Sequence, residues 1–178
     1  MSHLLEHHFI EAKKQNRNAQ KALYEMFSGK MLSIALSYTG NLHDAEDVLQ
    51  NAFYKGFTKI NDCQDWKTFP GWLRRIVINE SISFLRQNQK LFFSDLSEME
   101  SEIENEEEEN QYSKISLEEI FTQMPTGYKV VFNLFVFEDK KHQEIAELLS
   151  ITQGTSKSQL NKAKRWISEY LKTQCYEQ

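Results

Sequence analysis

Apolar residues recur along this chain three or four apart, and no stretch alternates as a half-buried strand does. Residues 3–15 place Leu4, Leu5, Phe9 and Ile10 on one predicted inner face. Residues 17–38 continue with Leu23, Met26, Phe27, Met31, Ile34, Ala35 and Tyr38; Gly29 softens the middle and Gly40 is a natural C-cap. Asn41 then opens a third helix as an N-cap, with Asp44 three residues on, where an acid suits both a capping box and the helix dipole. Val48, Leu49, Ala52, Phe53 and Phe57 form its buried face, which leaves Asp44, Asp47, Asn51 and Lys55 outside with Gln50 nearby. Residues 61–68 are polar and turn-like around a single Trp66. Phe69 and Pro70 start a fourth helix, proline being suited to a first turn. Its inward positions are Phe69, Trp72, Leu73, Ile76 and Val77. Beyond an acidic stretch, Ser116 to Glu119 has capping-box form, and Met124-Pro125-Thr126-Gly127 ends the short helix it starts. Residues 128–137 are apolar enough to pass for a strand, but their place between helices predicts a buried helix. Two prolines and six glycines in 178 residues complete an all-α reading.

Residues 142–167 bring two helical patterns together across Ser150-Ile151-Thr152. The first turns Ile145, Ala146, Leu148 and Leu149 inward, and the small Ala146 permits a close crossing. Ile151 plugs the corner, and Thr152 is the N-cap of the second helix. There Ser156, Leu160, Ala163 and Ile167 form the inner face. Thr155 belongs to its first turn, Ser158, Asn161, Lys162 and Arg165 fall on the far side, and Lys157 and Lys164 flank them. This is a helix-turn-helix whose second helix offers hydrogen-bonding groups and positive charge to a DNA groove. A helical hairpin with a solvated basic face fits the same residues.

A net charge of −5 argues against a DNA binder until its distribution is read. Residues 91–116 carry −8, residues 1–90 carry +3, and residues 117–178 are neutral, with their charges segregated by face. One acidic segment masks the basic surfaces. Its successive glutamates repel one another, which predicts a flexible linker between two domains, with boundaries at 1–90, 91–115 and 116–178. On the fourth helix Arg75, Asn79 and Arg86 line up, with Arg74 adjoining. Beside the Trp66 loop they suit a single nucleic-acid strand, arginines holding phosphate while an aromatic surface takes an unstacked base. An ordinary amphipathic helix with basic solvent contacts suits them equally.

No apolar run approaches the ~20 residues of a membrane span, and the mixed-charge N-terminus lacks a signal peptide's form, so no membrane insertion and a cytoplasmic location are expected. Cys63 and Cys175 read as two reduced thiols. His3 and His7 share a spacing that metal ligands use, with Glu6, His8 and Glu11 near, but no motif fixes a third ligand, so no metal site is expected. There is no Gly-rich phosphate loop and no nucleophile with a placed base, so neither catalytic residues nor a cofactor are expected.

The motifs together resemble the extracytoplasmic-function (ECF) class of bacterial RNA polymerase sigma factors. DAEDVLQNAF from Asp44 is similar to the family's polymerase-docking helix, and FPGWLRRIVINESISFLR from Phe69 to the helix after its promoter-reading loop. The segment from Tyr128 to Ile167 is similar to its second DNA-binding region. The resemblance implies a region 2 helical bundle and a region 4 helix-turn-helix joined by the linker. It further implies that Asp44, Asp47, Leu49 and Gln50 face the clamp helices of the polymerase's largest subunit. Asn61, Asp62, Cys63, Gln64, Asp65, Trp66 and Lys67 would capture a flipped base of the −10 element, and Arg74, Arg75 and Asn79 would hold the melted strand. Thr155, Lys157, Ser158, Asn161, Lys162 and Arg165 would read the duplex −35 element. Asp139, Lys140 and Lys141 stand where many members have a glycine, an aromatic and a serine, which implies either a less tight entry to the helix-turn-helix or two lysines on phosphate. The implied partners are core RNA polymerase, promoter DNA and an anti-sigma factor. The linker's acids at 106–109 would imitate RNA in the polymerase or shield the basic surfaces of the free protein. The competing reading is a free-standing helix-turn-helix regulator that finds its operator without polymerase.

Overall fold

The computed structural model describes residues 2–88 and 116–176. Among these residues every regular element is a helix, and they divide after Asn88 into two compact units. The acidic linker at 91–115 lies outside the described residues.

The first unit comprises α1 (Ser2–Lys13), α2 (Arg17–Thr39), α3 (Leu42–Thr58), a 3-10 turn (Ile60–Asp62) and α4 (Phe69–Gln87). Side chains set the helix ends. Asn16 caps α2 by accepting the N–H groups of Asn18 and Ala19 at 3.0 and 3.2 Å. Gly40, at φ 80°, ends α2 in the left-handed region that an added Cβ disfavours. Asn41 caps α3, accepting the Asp44 N–H at 2.9 Å. Helices α2, α3 and α4 enclose Leu23, Met31, Tyr38, Val48, Ala52, Phe69, Leu73 and Val77.

Two stripes differ from the spacing pattern. In α1 Phe9 is buried together with Ala12, whereas Leu4 and Ile10 are 54% and 47% exposed. This terminal helix packs mainly along α2, so a narrower arc of it is covered than an internal helix offers. In α2 Met26 likewise lies on the surface. Gly29 does not interrupt that helix.

The second unit comprises α5 (Leu117–Gln123), α6 (Thr126–Val136), α7 (His142–Leu149) and α8 (Gln153–Tyr176). Ser116 and Glu119 close a capping box in both directions, at 3.2 and 3.1 Å. The apolar run at 128–137 is helical and buries Val130, Val131 and Leu134. Helix α8 packs on α6 and α7. Between α7 and α8, Ser150 turns to φ 58°, Ile151 donates its N–H to the Ala146 carbonyl at 3.0 Å, and Thr152 accepts the Thr155 N–H at 2.9 Å. Ile145, Ala146, Leu149, Ser156, Leu160 and Ala163 close the corner.

Candidate functional site

Three surfaces carry the candidate residues. On α3, Gln50 and Asn51 are exposed and Asp47 is half-buried. Asp44 and Leu49 are not on this surface, being 7% and 4% exposed. The expectation that Asp44 stands outside is corrected by its cap: the Asn41 side-chain amide donates to its carboxylate at 2.8 Å, which turns it back over the helix start. Leu49 lies beneath the exposed face, in the core. Tyr54, 74% exposed, extends that face one turn beyond Gln50. Its spacing from Asp47 and Gln50 was legible, but an aromatic reads as core. Lys55 crosses to α4, where Glu80 accepts from its ammonium at 2.7 Å.

The second surface is the segment from the 3-10 turn to α4. Asn61, Asp62, Gln64, Asp65 and Lys67 are exposed, and Trp66 is half-buried. Cys63, grouped with them from the sequence, is 2% exposed and its thiol donates toward the Asp65 carbonyl at 3.5 Å. A small apolar thiol anchors the turn, so its side chain is not on the reading surface. Asp65 organises the rest. Its carboxylate accepts the Lys67 N–H at 3.0 Å, and its carbonyl accepts the Thr68 hydroxyl at 2.8 Å. The Lys67 ammonium sits 5.5 Å from the Trp66 ring centroid. On α4 beside it, Arg75 and Asn79 are exposed one turn apart and Arg74 is half-buried. An indole edge, a cation and two guanidinium groups are chemically suited to an unstacked base and its phosphates.

The third surface is the outer face of α8. Lys157, Ser158, Asn161 and Arg165 are exposed and Lys162 is half-buried. Thr155 is 9% exposed, its hydroxyl 2.8 Å from that of Thr152, so it belongs to the cap and not to the outer face. Arg165 pairs with Glu169 at 2.8 Å, an exposed ion pair that a phosphate or base edge can replace at small cost. His142 Nδ1 meets the Ser156 hydroxyl at 2.9 Å, and its ring stacks on Phe135 with centroids 4.8 Å apart. Burial, with Lys157 and Lys164 nearby, holds His142 below the ordinary histidine pKa. Gln159 was missed: it is buried on the inner face, one turn from Ser156 and Ala163, where its phase points but its polarity misleads. Among the described residues, no helix is long and apolar enough to cross a membrane.

The family model for Sigma-70 region 2 matches residues 23–91, and the one for Sigma-70, region 4 matches residues 114–167. The RNA polymerase sigma factor SigV of Bacillus subtilis (strain 168) is 30% identical over 130 residues, covering 73% of this chain and 77% of SigV. The ECF RNA polymerase sigma factor SigW of the same organism is 22% identical over 190 residues, covering 97% and 99%. Among solved structures, that of CnrH in complex with the cytosolic domain of CnrY matches with a TM-score of 0.48 at 17% identity, over 96% of this chain and 98% of that one.

Proposed function

The chain belongs to the ECF sigma factors of bacterial RNA polymerase, and from that premise we propose how its surfaces divide the work. Sigma factors are non-enzymatic initiation factors: they bind core polymerase and direct it to promoters, and this chain does so with its region 2 and region 4 units. Family membership displaces the free-standing regulator.

Asp47 and Gln50 face a basic helical surface of the polymerase's largest subunit, with Asp44 and Leu49 fixing the helix beneath them. The 61–67 segment takes a flipped base of the melted −10 element, Trp66 and Lys67 giving the contact surface and Cys63 the anchor. Arg74, Arg75 and Asn79 hold the adjoining strand. Lys157, Ser158, Asn161, Lys162 and Arg165 enter the major groove at the −35 element, and Thr155 keeps the start of α8 in place for them. An anti-sigma factor is a further partner by family resemblance, and the cytoplasm is the compartment where these partners meet.

The observation that carries this division is that each candidate surface lies within a segment matching its own sigma region. Phosphate neutralisation supplies most non-specific DNA affinity, and the basic surplus here is small. Free DNA is therefore bound weakly until polymerase holds both units, when each raises the other's effective concentration on one promoter.

Run-off transcription with bacterial core polymerase and a promoter library tests the reading. Defined start sites are expected with the wild type. Asp47→Lys abolishes them with loss of core binding, and Lys162→Glu abolishes them with core binding retained. Specific duplex binding by the protein alone, with no polymerase binding, overturns the proposal.

A further inference from the structure

The C-terminal turn of α1 reaches the segment proposed to capture the −10 base. The Lys13 ammonium donates to the Cys63 carbonyl at 2.8 Å, across fifty residues of sequence. The same ammonium sits 5.1 Å from the centroid of the Phe9 ring, one helical turn back. Phe9 in turn packs on Phe69, the first residue of α4, at 5.5 Å between centroids. Helix α1 thus holds both ends of the segment, a carbonyl near its start and a ring at its exit. Between those ends Cys63 points inward, while Trp66 and Lys67 lie farther out.

A hydrogen bond to a carbonyl fixes the orientation of its peptide plane, because the peptide unit is rigid. The direction in which the chain leaves Cys63, and hence where Trp66 presents its ring, depends on that plane. A charged donor makes this tether stronger than a neutral one. The region 2 match begins at residue 23, so Lys13 lies upstream of the matched segment.

We propose that Lys13 is a positioning residue for −10 recognition: its bond to the Cys63 carbonyl holds the 63–67 segment in the geometry that accepts an unstacked base. This rests on the base-capture reading above. Lys13 itself touches no base; it acts through the backbone.

The test uses holoenzyme made from the full chain and bacterial core polymerase. Single-stranded −10 oligonucleotides, taken from the mapped start sites and varied base by base, are bound with a fluorescent base at each position in turn. Lys13→Met, Lys13→Arg and Trp66→Ala are compared with wild type. Lys13→Met is expected to weaken binding of the cognate strand roughly tenfold, the loss of one charge-assisted hydrogen bond. It also flattens discrimination among bases and removes the fluorescence change of the flipped base. Core affinity and −35 duplex binding stay at wild-type values, and Lys13→Arg restores discrimination. Lys13→Gln, which keeps a shorter donor, repeats the comparison if the methionine variant fails to fold. If Trp66→Ala abolishes discrimination and Lys13→Met leaves it intact, the positioning role is overturned while base capture stands. Parallel loss of core affinity and −10 binding in Lys13→Met overturns it too, since that marks general damage to the unit. If Trp66→Ala leaves discrimination intact, base capture itself fails and the role of Lys13 falls with it.

Discussion

The first unit closes around aromatic rings. Phe69 lies 5.5 Å from Phe9, 5.7 Å from Phe27 and 6.0 Å from Trp72, all by ring centroids, and Phe53 sits 4.7 Å from Tyr24. Two of its buried hydroxyls donate to carbonyls: Thr39 to Ala35 at 3.1 Å and Ser81 to Val77 at 2.9 Å. The second unit has a smaller core and puts more polar groups into it. Lys129, Asn133, Ser156 and Gln159 are all buried there, and neither amide atom of Gln159 has a hydrogen-bond partner among the described residues. Burial lowers the Lys129 pKa to about 8. The difference teaches that the surfaces proposed for docking and −10 recognition stand on a well-buried platform, whereas the helix proposed for −35 recognition stands on a core that buries a lysine and an unpaired glutamine amide. Small domains have little apolar burial to offset the cost of burying such groups.

The largest test of this contrast is removal of the central ring. Phe69→Ala should cost the first unit about 3–5 kcal/mol, and urea unfolding should show its transition moving while that of the second unit stays in place. A single shared shift would break the comparison. Next is Lys129→Met, which keeps the stem and deletes the charge. The folded pKa of Lys129 lies below its unfolded value of 10.5, so the unfolded state holds more protons between pH 8 and 10.5. Wild-type stability therefore rises with pH through that window, and the full penalty is present below it. The variant should flatten that rise and gain about 2–3 kcal/mol at pH 7, read from unfolding curves at several pH values. An unchanged pH profile would mean that the ammonium is solvated in the folded state. Gln159→Met replaces an unpaired buried amide by an apolar chain of similar length and should raise the second unit's stability by about 1–2 kcal/mol in the same assay. The smallest expected effects are at the caps. Asn41→Ala and Ser116→Ala should each cost about 1 kcal/mol. The serine variant should shift the transition midpoint of its unit further if the second unit has the smaller margin.

Helix boundaries were the most legible feature. Asn41, Ser116 and Thr152 act as N-caps, Gly40 ends its helix, and Pro70 opens one, because capping chemistry is local to a few residues. Helical phase was legible too, since it needs only spacing. The width of the buried arc was not. Leu4 and Ile10 stay outside because few neighbours cover α1, and Thr155 goes inside because the turn before it folds back. Asp44 and Cys63 show the same limit at the candidate surfaces. Both sit inside a polar stretch, and the Asn41 amide and the Asp65 carbonyl hold them facing inward.

The residue pattern alone determined the all-α class, the order of the helices, the helix-turn-helix and the residue types at the candidate surfaces, because each depends on interactions within a turn or two of the chain. Tertiary structure decided which of those residues reach the surface. It also decided that Lys13 meets the carbonyl of Cys63 and that Lys129 and Gln159 share a core. Contacts across such distances depend on how helices pack, and packing leaves no signature in local spacing.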